Sequence, residues 1–331
     1  MQIRRWRLTG ASIGLALLVL MGTMPVAEGA STGGNGLRIS PVRTDVTIAP
    51  GKTQTVVINV TNVTDSTASL QAIVNDFVAN PNESGEPAIL LNPTQYASSH
   101  SLKRFVSPIS NFTLKPDQEK AVNVNITIPK NAAGGGYYGA VRFLPAGAIT
   151  TGPNQNVSLA GSVGSLILVK VPGNIVDKLS IASFDARSND RSGTFFTHSK
   201  NIDAVVRFQN EGNIQEQPFG KILLKNRSGK TLASYEINNT TPPGNVLPDS
   251  IRKFSIPLKK LSSFGEYKLE GNFGYGSGGQ LLSASTTFYV IPLWLILLFV
   301  AVVILLGFLV FGLPKLIRKY NDRVIRKAGR R

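Results

Sequence analysis

The chain has 331 residues and no cysteine, which excludes disulfides, thiolate metal sites and thiol nucleophiles and leaves a hydrophobic core to hold any exported part together. Its 35 lysines and arginines outnumber 19 acids, but the excess sits at the ends. Three bases and Glu28 precede residue 30, and eight bases and Asp322 follow residue 313, so the middle nets only about +7; that mild bias suits acidic polymers or lipid headgroups at long range, and with no basic stripe among stacking aromatics it excludes a nucleic-acid footprint.

Residues 1–29 read as a signal peptide. Arg4, Arg5 and Arg7 form a positive start, Leu8 to Val26 carry no charge, and Ala27-Glu28-Gly29 offers the small-x-small cleavage pattern. Gly10, Gly14, Gly22 and Pro25 interrupt the run, which argues against a first spanning helix. Residues 30–36 form a flexible Gly/Ser/Thr linker.

Period-two alternation then begins. In Thr55–Thr61, Val56, Ile58 and Val60 share one face, and Val122, Val124, Ile126 and Ile128 do the same further on. Such patterns are half-buried antiparallel strands. Further strands are expected near Leu37–Val46, Ser69–Ala79, Val106–Leu114, Tyr138–Leu144 and Leu166–Val171, separated by turn residues such as Pro50-Gly51 and Lys115-Pro116-Asp117. Seven short strands over residues 37–173 predict an immunoglobulin-like sandwich. Residues Pro145 to Gly164 lack apolar pattern and read as a long mobile hairpin loop.

A second sandwich is expected over 174–290. Ala204, Val206 and Phe208 alternate before a turn at Asn210–Asn213. Ile222 with Leu224, Phe254 with Ile256, Tyr267 with Leu269, and Phe288 with Val290 continue the pattern. Residues 291–313 then form a transmembrane helix, since about 20 apolar residues cross a hydrocarbon core of about 30 Å. Tyr289 and Trp294 flank it on one side; Lys315, Arg318 and Lys319 open a basic tail, 314–331, on the other. Positive charge stays cytoplasmic, so the protein is expected in the cell membrane as a single-pass chain with both sandwiches outside. The fold class is therefore all-β, two tandem immunoglobulin-like β-sandwiches plus one C-terminal transmembrane helix. The absence of cystines in so long an exterior favours a prokaryote.

Catalytic groups are sparse. The two histidines, His100 and His198, lie in polar loops, no histidine pair has ligand spacing, and no nucleophile elbow or phosphate loop occurs. We expect no enzyme activity, no catalytic or metal residue and no cofactor. Two carboxyl groups converging in a cleft would favour a glycan hydrolase instead. Nine Asn-x-Ser/Thr triplets, from Asn59 to Asn239, are possible glycan acceptors or simply the wet faces of strands. The most distinctive run is Gly134-Gly135-Gly136-Tyr137-Tyr138-Gly139. Tyr137 and Tyr138 could stack on sugar rings, and Arg142 could pair with a carboxylate. Alternatively, one tyrosine packs inward and the other outward.

Ile39-Ser40-Pro41, Pro50-Gly51 before a strand ending Val60-Thr61-Asn62, Phe112–Pro116, and Ile128-Pro129 leading to Gly134–Gly139 together resemble the peptidoglycan-binding domain of WxL-interacting proteins. The layout of signal, two sandwiches, one membrane helix and basic tail is similar to that family along nearly the whole chain. The resemblance implies a first sandwich that engages peptidoglycan and a second that docks a partner surface protein. Nothing in the second domain matches beyond general features. A different reading is a chaperone-like assembly factor that lends a sheet edge to secreted subunits.

Overall fold

The computed structural model describes residues 36–146 and 162–328, with side chains described to residue 321. The first nine strands are β1 (Leu37–Ser40), β2 (Arg43–Thr47), β3 (Thr53–Asn62), β4 (Ala68–Ala79), β5 (Pro87–Ile89), β6 (Phe112–Leu114), β7 (Glu119–Thr127), β8 (Gly135–Pro145) and β9 (Val163–Val171). One sheet has the order β1-β3-β7. The other runs β2-β9-β8-β4-β5, with β6 also on β4. Their facing sides enclose one core, in which Ile58, Val60, Leu114, Val124, Ile126, Phe143 and Val169 are all buried. Ile58, Val60, Val124 and Ile126 are among the alternate positions that the period-two pattern singles out.

Two expected strands differ. Leu37–Val46 breaks at Pro41, which has no N–H to give to a ladder. β1 stays with β3, whereas β2 crosses to pair in parallel with β9. Of Val106–Leu114 only Phe112–Leu114 is strand. Pro108 interrupts the rest, and Val106 makes a lone bridge to Ile126. That bridge and a Ser107 N–H donated to Asn125 O at 3.0 Å cap part of the outer edge of β7. The expected mobile loop lies largely outside the described residues.

The second set comprises β10 (Leu179–Ser188), β11 (Arg191–Ser192), β12 (Phe195–Phe196), β13 (Ile202–Asn210), β14 (Phe219–Asn226), β15 (Thr231–Ile237), β16 (Ser250–Pro257), β17 (Gly265–Tyr275) and β18 (Gln280–Val290). Sheets β11-β10-β13-β16 and β12-β18-β17-β14-β15 face each other. Ala204, Val206, Phe208, Ile222, Leu224, Leu269, Phe273 and Phe288 fill the space between them. The two sandwiches share a device. Asn62 and Asn210, each at the end of a strand and fully buried, donate to carbonyls of neighbouring turns and accept an amide two residues on. Buried amides persist where their hydrogen bonds are met, and Asn62, so engaged, is no glycan acceptor.

The sandwiches pack against one another. The outward side of β8 and β9 presents Tyr138, Ala140 and Leu168, which with Phe77 from β4 form a small apolar cluster that Leu247 of the second domain covers. Asn213 donates to Gly134 O at 3.0 Å and to Asn174 O at 2.8 Å, and Gly136 N–H donates to Asn213 O at 2.7 Å. Close approach there needs glycine: a Cβ on Gly134 would lie 2.8 Å from the backbone of Gly173 and Asn174. Glu83 reaches from the β4–β5 turn to grip Arg207, its Oε2 accepting from Nε at 2.7 Å.

After β18 comes a long helix: α1 (Leu293–Gly307), a π-helical turn (Phe308–Gly312) and α2 (Leu313–Ala328). Pro314 removes one N–H and crowds the preceding turn, and such a wide turn relieves that crowding. Leu293–Asn321 is long and apolar enough to cross a membrane, and none of its apolar stretch is buried against the protein.

Candidate binding site

Strand β8 splits the expected site residues between its two faces. Tyr137 lies on the inward side with Val141 and Phe143. Its ring meets Phe105 edge-on at 5.1 Å, its hydroxyl donates to Ala133 O at 3.0 Å, and burial raises its pKa. Tyr138 points the other way, into the seam between the sandwiches. It is 2% exposed, donates to Gln215 Oε1 at 2.9 Å, and burial drives its pKa far above the ordinary phenol value. The two rings therefore form no shared stacking platform, because neighbouring residues of a strand face opposite sides. Arg142 shares the outward side and is half-buried. Its Nε donates to Asn75 Oδ1 at 2.9 Å and its Nη1 to Ser162 Oγ at 3.2 Å, while burial lowers its pKa.

The other partners of Asn75 lead to a surface that alternation could not reveal. Residues 80–111, apart from β5, run outside the sheet between β4 and β6. Asn75 Nδ2 donates to Leu90 O at 2.6 Å. The buried carboxylate of Asp76 accepts the amides of Ala97 and Lys103, each at 2.9 Å. These bonds pin the excursion at three points. They bring Tyr96 beside the short 3₁₀ turn Lys103–Phe105. Tyr96 is 47% exposed, with Lys103 Nζ 4.5 Å and Arg104 Cζ 5.0 Å from its ring centre. Lys103 Nζ is also held by the carbonyls of Pro93 and Gln95. The exposed Arg104 guanidinium lies over the Tyr96 ring and makes no side-chain hydrogen bond among the described residues. A half-exposed tyrosine with two cations over its ring makes an aromatic, basic patch whose uncovered surface can meet a sugar and a carboxylate. The sequence signal was slight, a dibasic pair seven residues beyond a tyrosine in an Asn/Ser-rich stretch.

A second concavity of about 600 Å³ opens between the sandwiches, with Arg43, Asp45 and Lys170 on one wall and Asp177, Glu216 and Phe219 on the other. Here two carboxyl groups do converge. Burial, and then the charge of Asp177, push Glu216 up to about 7. The charge of Asp177 acts on Glu216 across the recess that both line, and Ser277 Oγ donates to Asp177 at 3.2 Å. A glycosidase pair stands about 5 Å or more apart to admit the scissile bond. Among the described residues no group of three or more His, Asp or Glu could hold a metal ion.

The residues expected to flank a membrane occupy one end of the second sandwich and the helix that follows. Tyr289 stacks on Phe195 at 5.2 Å, Trp294 is exposed, and Lys315, Arg318 and Lys319 are exposed on α2.

Residues 44–144 match the family described as WxL Interacting Protein, peptidoglycan binding domain. No curated protein matches the chain. Among solved structures, the class 5 fimbriae chaperone CfaA is similar at 12% identity and a TM-score of 0.38, over 78% of this chain and 100% of that one. The E. coli chaperone DraB is similar at 15% and 0.32, over 76% and 96%. The Pseudomonas aeruginosa CupB2 chaperone is similar at 10% and 0.33, over 75% and 98%. Likeness at that level says nothing of function.

Proposed function

We propose, starting from a first sandwich matched to the peptidoglycan binding domain of WxL-interacting proteins, that this chain is a membrane-anchored cell-surface binding protein. The match over residues 44–144 is the observation that carries the reading. The first sandwich engages peptidoglycan. The second supports it and docks a partner surface protein. The apolar helix anchors both in the cell membrane, with the basic tail inside. The mild positive charge of the exterior draws it to acidic wall polymers. Tyr96 and Arg104, rather than the enclosed Tyr138, supply the contact: the ring stacks on a sugar and the guanidinium takes a carboxylate of the stem peptide. Tyr137 and Arg142 sit further in and shape the support beneath.

The test is co-sedimentation of residues 31–289 with insoluble purified cell wall. The exterior is expected in the pellet. Tyr96→Ala with Arg104→Ala is expected to release most of it, and Arg142→Ala to release less. If the wild-type exterior stays in the supernatant, the wall-binding reading is wrong. An assembly factor that lends the open stretch of the β7 edge then takes its place.

A further inference from the structure

The end of the second sandwich nearest the helix is built unlike the rest of the surface. β12 is only two residues long, yet it is fixed. Phe195 and Phe196 pair in parallel with Tyr289 and Val290, the Tyr289 N–H donates to Thr194 O at 2.7 Å, and the Ile291 N–H donates to Phe196 O at 2.8 Å. Phe196 turns into the core, and Phe195 stays 66% exposed, stacked on Tyr289. On the neighbouring loop Phe264 is 61% exposed. It borders an open recess of about 650 Å³ together with Tyr289, Ile291, Arg227 and Lys260. Arg227 is exposed and lies 3.8 Å from its acid, Glu266.

Large aromatics bared at one end of a domain, rimmed by bases, mark an interaction surface. Its occupant follows from where the chain goes next. The helix begins at Leu293, and the first charge after it is Lys315. At about 1.5 Å per residue that stretch spans about 33 Å, the thickness of a hydrocarbon core with little to spare. Leu293 is thus fixed at the core boundary. Tyr289 is four residues away, at most about 13 Å of extended chain. The headgroup layer is about 5–8 Å deep on each side, and aromatic rings collect there while bases meet lipid phosphates.

We propose that this end of the second sandwich is a lipid-docking surface: Phe195 and Phe264 insert into the outer headgroup layer beside Tyr289 and Trp294, and Arg227 and Lys260 face lipid phosphates. The proposal rests on the membrane-anchored reading. It goes beyond that reading in making the domain, and not the helix alone, a membrane-binding part. The partner it fits is a phospholipid surface.

The experiment uses the full chain in nanodiscs of phosphatidylcholine and phosphatidylglycerol, with acyl chains brominated close to the headgroup to quench tryptophan. Trp6→Phe leaves Trp294 as the only tryptophan. In a Trp6→Phe, Trp294→Phe background, Phe195→Trp, Phe264→Trp and Leu281→Trp each place one reporter at an exposed site. Leu281 is 81% exposed at the opposite end of the same sandwich. The reporters at 195 and 264 are expected to lose intensity as Trp294 does, and the one at 281 to keep it. If Trp294 is quenched and positions 195 and 264 are not, the docking surface is refuted while the anchor stands. If Trp294 is not quenched, the anchor fails and the proposal with it. Quenching at 281 equal to that at 264 overturns the assignment to this end.

Discussion

At the scale of single residues, the polar groups that matter are buried ones with their partners in place. Glu216 is the most consequential. Burial and the neighbouring Asp177 raise it from 4.5 to about 7, so between those values the folded chain holds a proton that the unfolded chain has released. Stability therefore falls as pH rises through that window and is level above it. The gap sets an upper limit of about 3 kcal/mol. Urea denaturation of the exterior at pH 5 and pH 8 should show the loss, and Glu216→Gln should remove most of the difference. An unchanged pH slope in the variant would mean that another group is responsible.

At the scale of elements, the excursion over 80–111 shows how a sheet positions a surface. Without regular structure over most of its length, it is held by side chains at the end of β4. Asp76→Ala would leave the amides of Ala97 and Lys103 without partners inside the protein, at about 1–3 kcal/mol for each group left unmet. The expected signature is local. Hydrogen exchange should quicken at Ala97 and Lys103 while the β3 and β7 amides stay protected, and wall binding should fall with it. Uniform loss of protection across the sandwich would instead mark Asp76 as a support of the whole core.

For the whole molecule, the question is whether the sandwiches act as one body. The Leu247 cluster, the Asn213 bonds and the Glu83–Arg207 ion pair all cross the seam. The pair is partly exposed, so Glu83→Ala should cost only about 1 kcal/mol. Its sharper effect should be on cooperativity: a single calorimetric transition in the wild-type exterior, broadened or split in the variant. Two separate transitions already present in the wild type would show that the seam is too weak to couple the domains.

Alternation alone was enough to read two β-sandwiches and their buried positions, from Val56 to Val60 and from Ala204 to Phe208, because a strand with one wet face must alternate. The apolar run after Val290 was legible for a similar reason, since a helix able to cross lipid needs an unbroken stretch of that length. The family resemblance lay in short turns such as Pro50-Gly51 and Ile128-Pro129, which precede or follow strands and so keep their local chemistry. Other features depend on contacts between residues far apart in the chain. Tyr137 and Tyr138 are adjacent on a strand and so face opposite sides, as the inward-and-outward alternative had it; that the outward one meets the second domain only the packing of that domain could decide. Tyr96 meets Arg104 because Asp76 folds the loop back, and Asp177 and Glu216 line one recess although far apart in the chain. Phe195 reaches the helix start through a two-residue parallel pairing with Tyr289 that no periodicity announces. Local patterns fix which face of each strand is apolar; which strands and loops meet is fixed by long-range packing, and the candidate surfaces arise from those meetings.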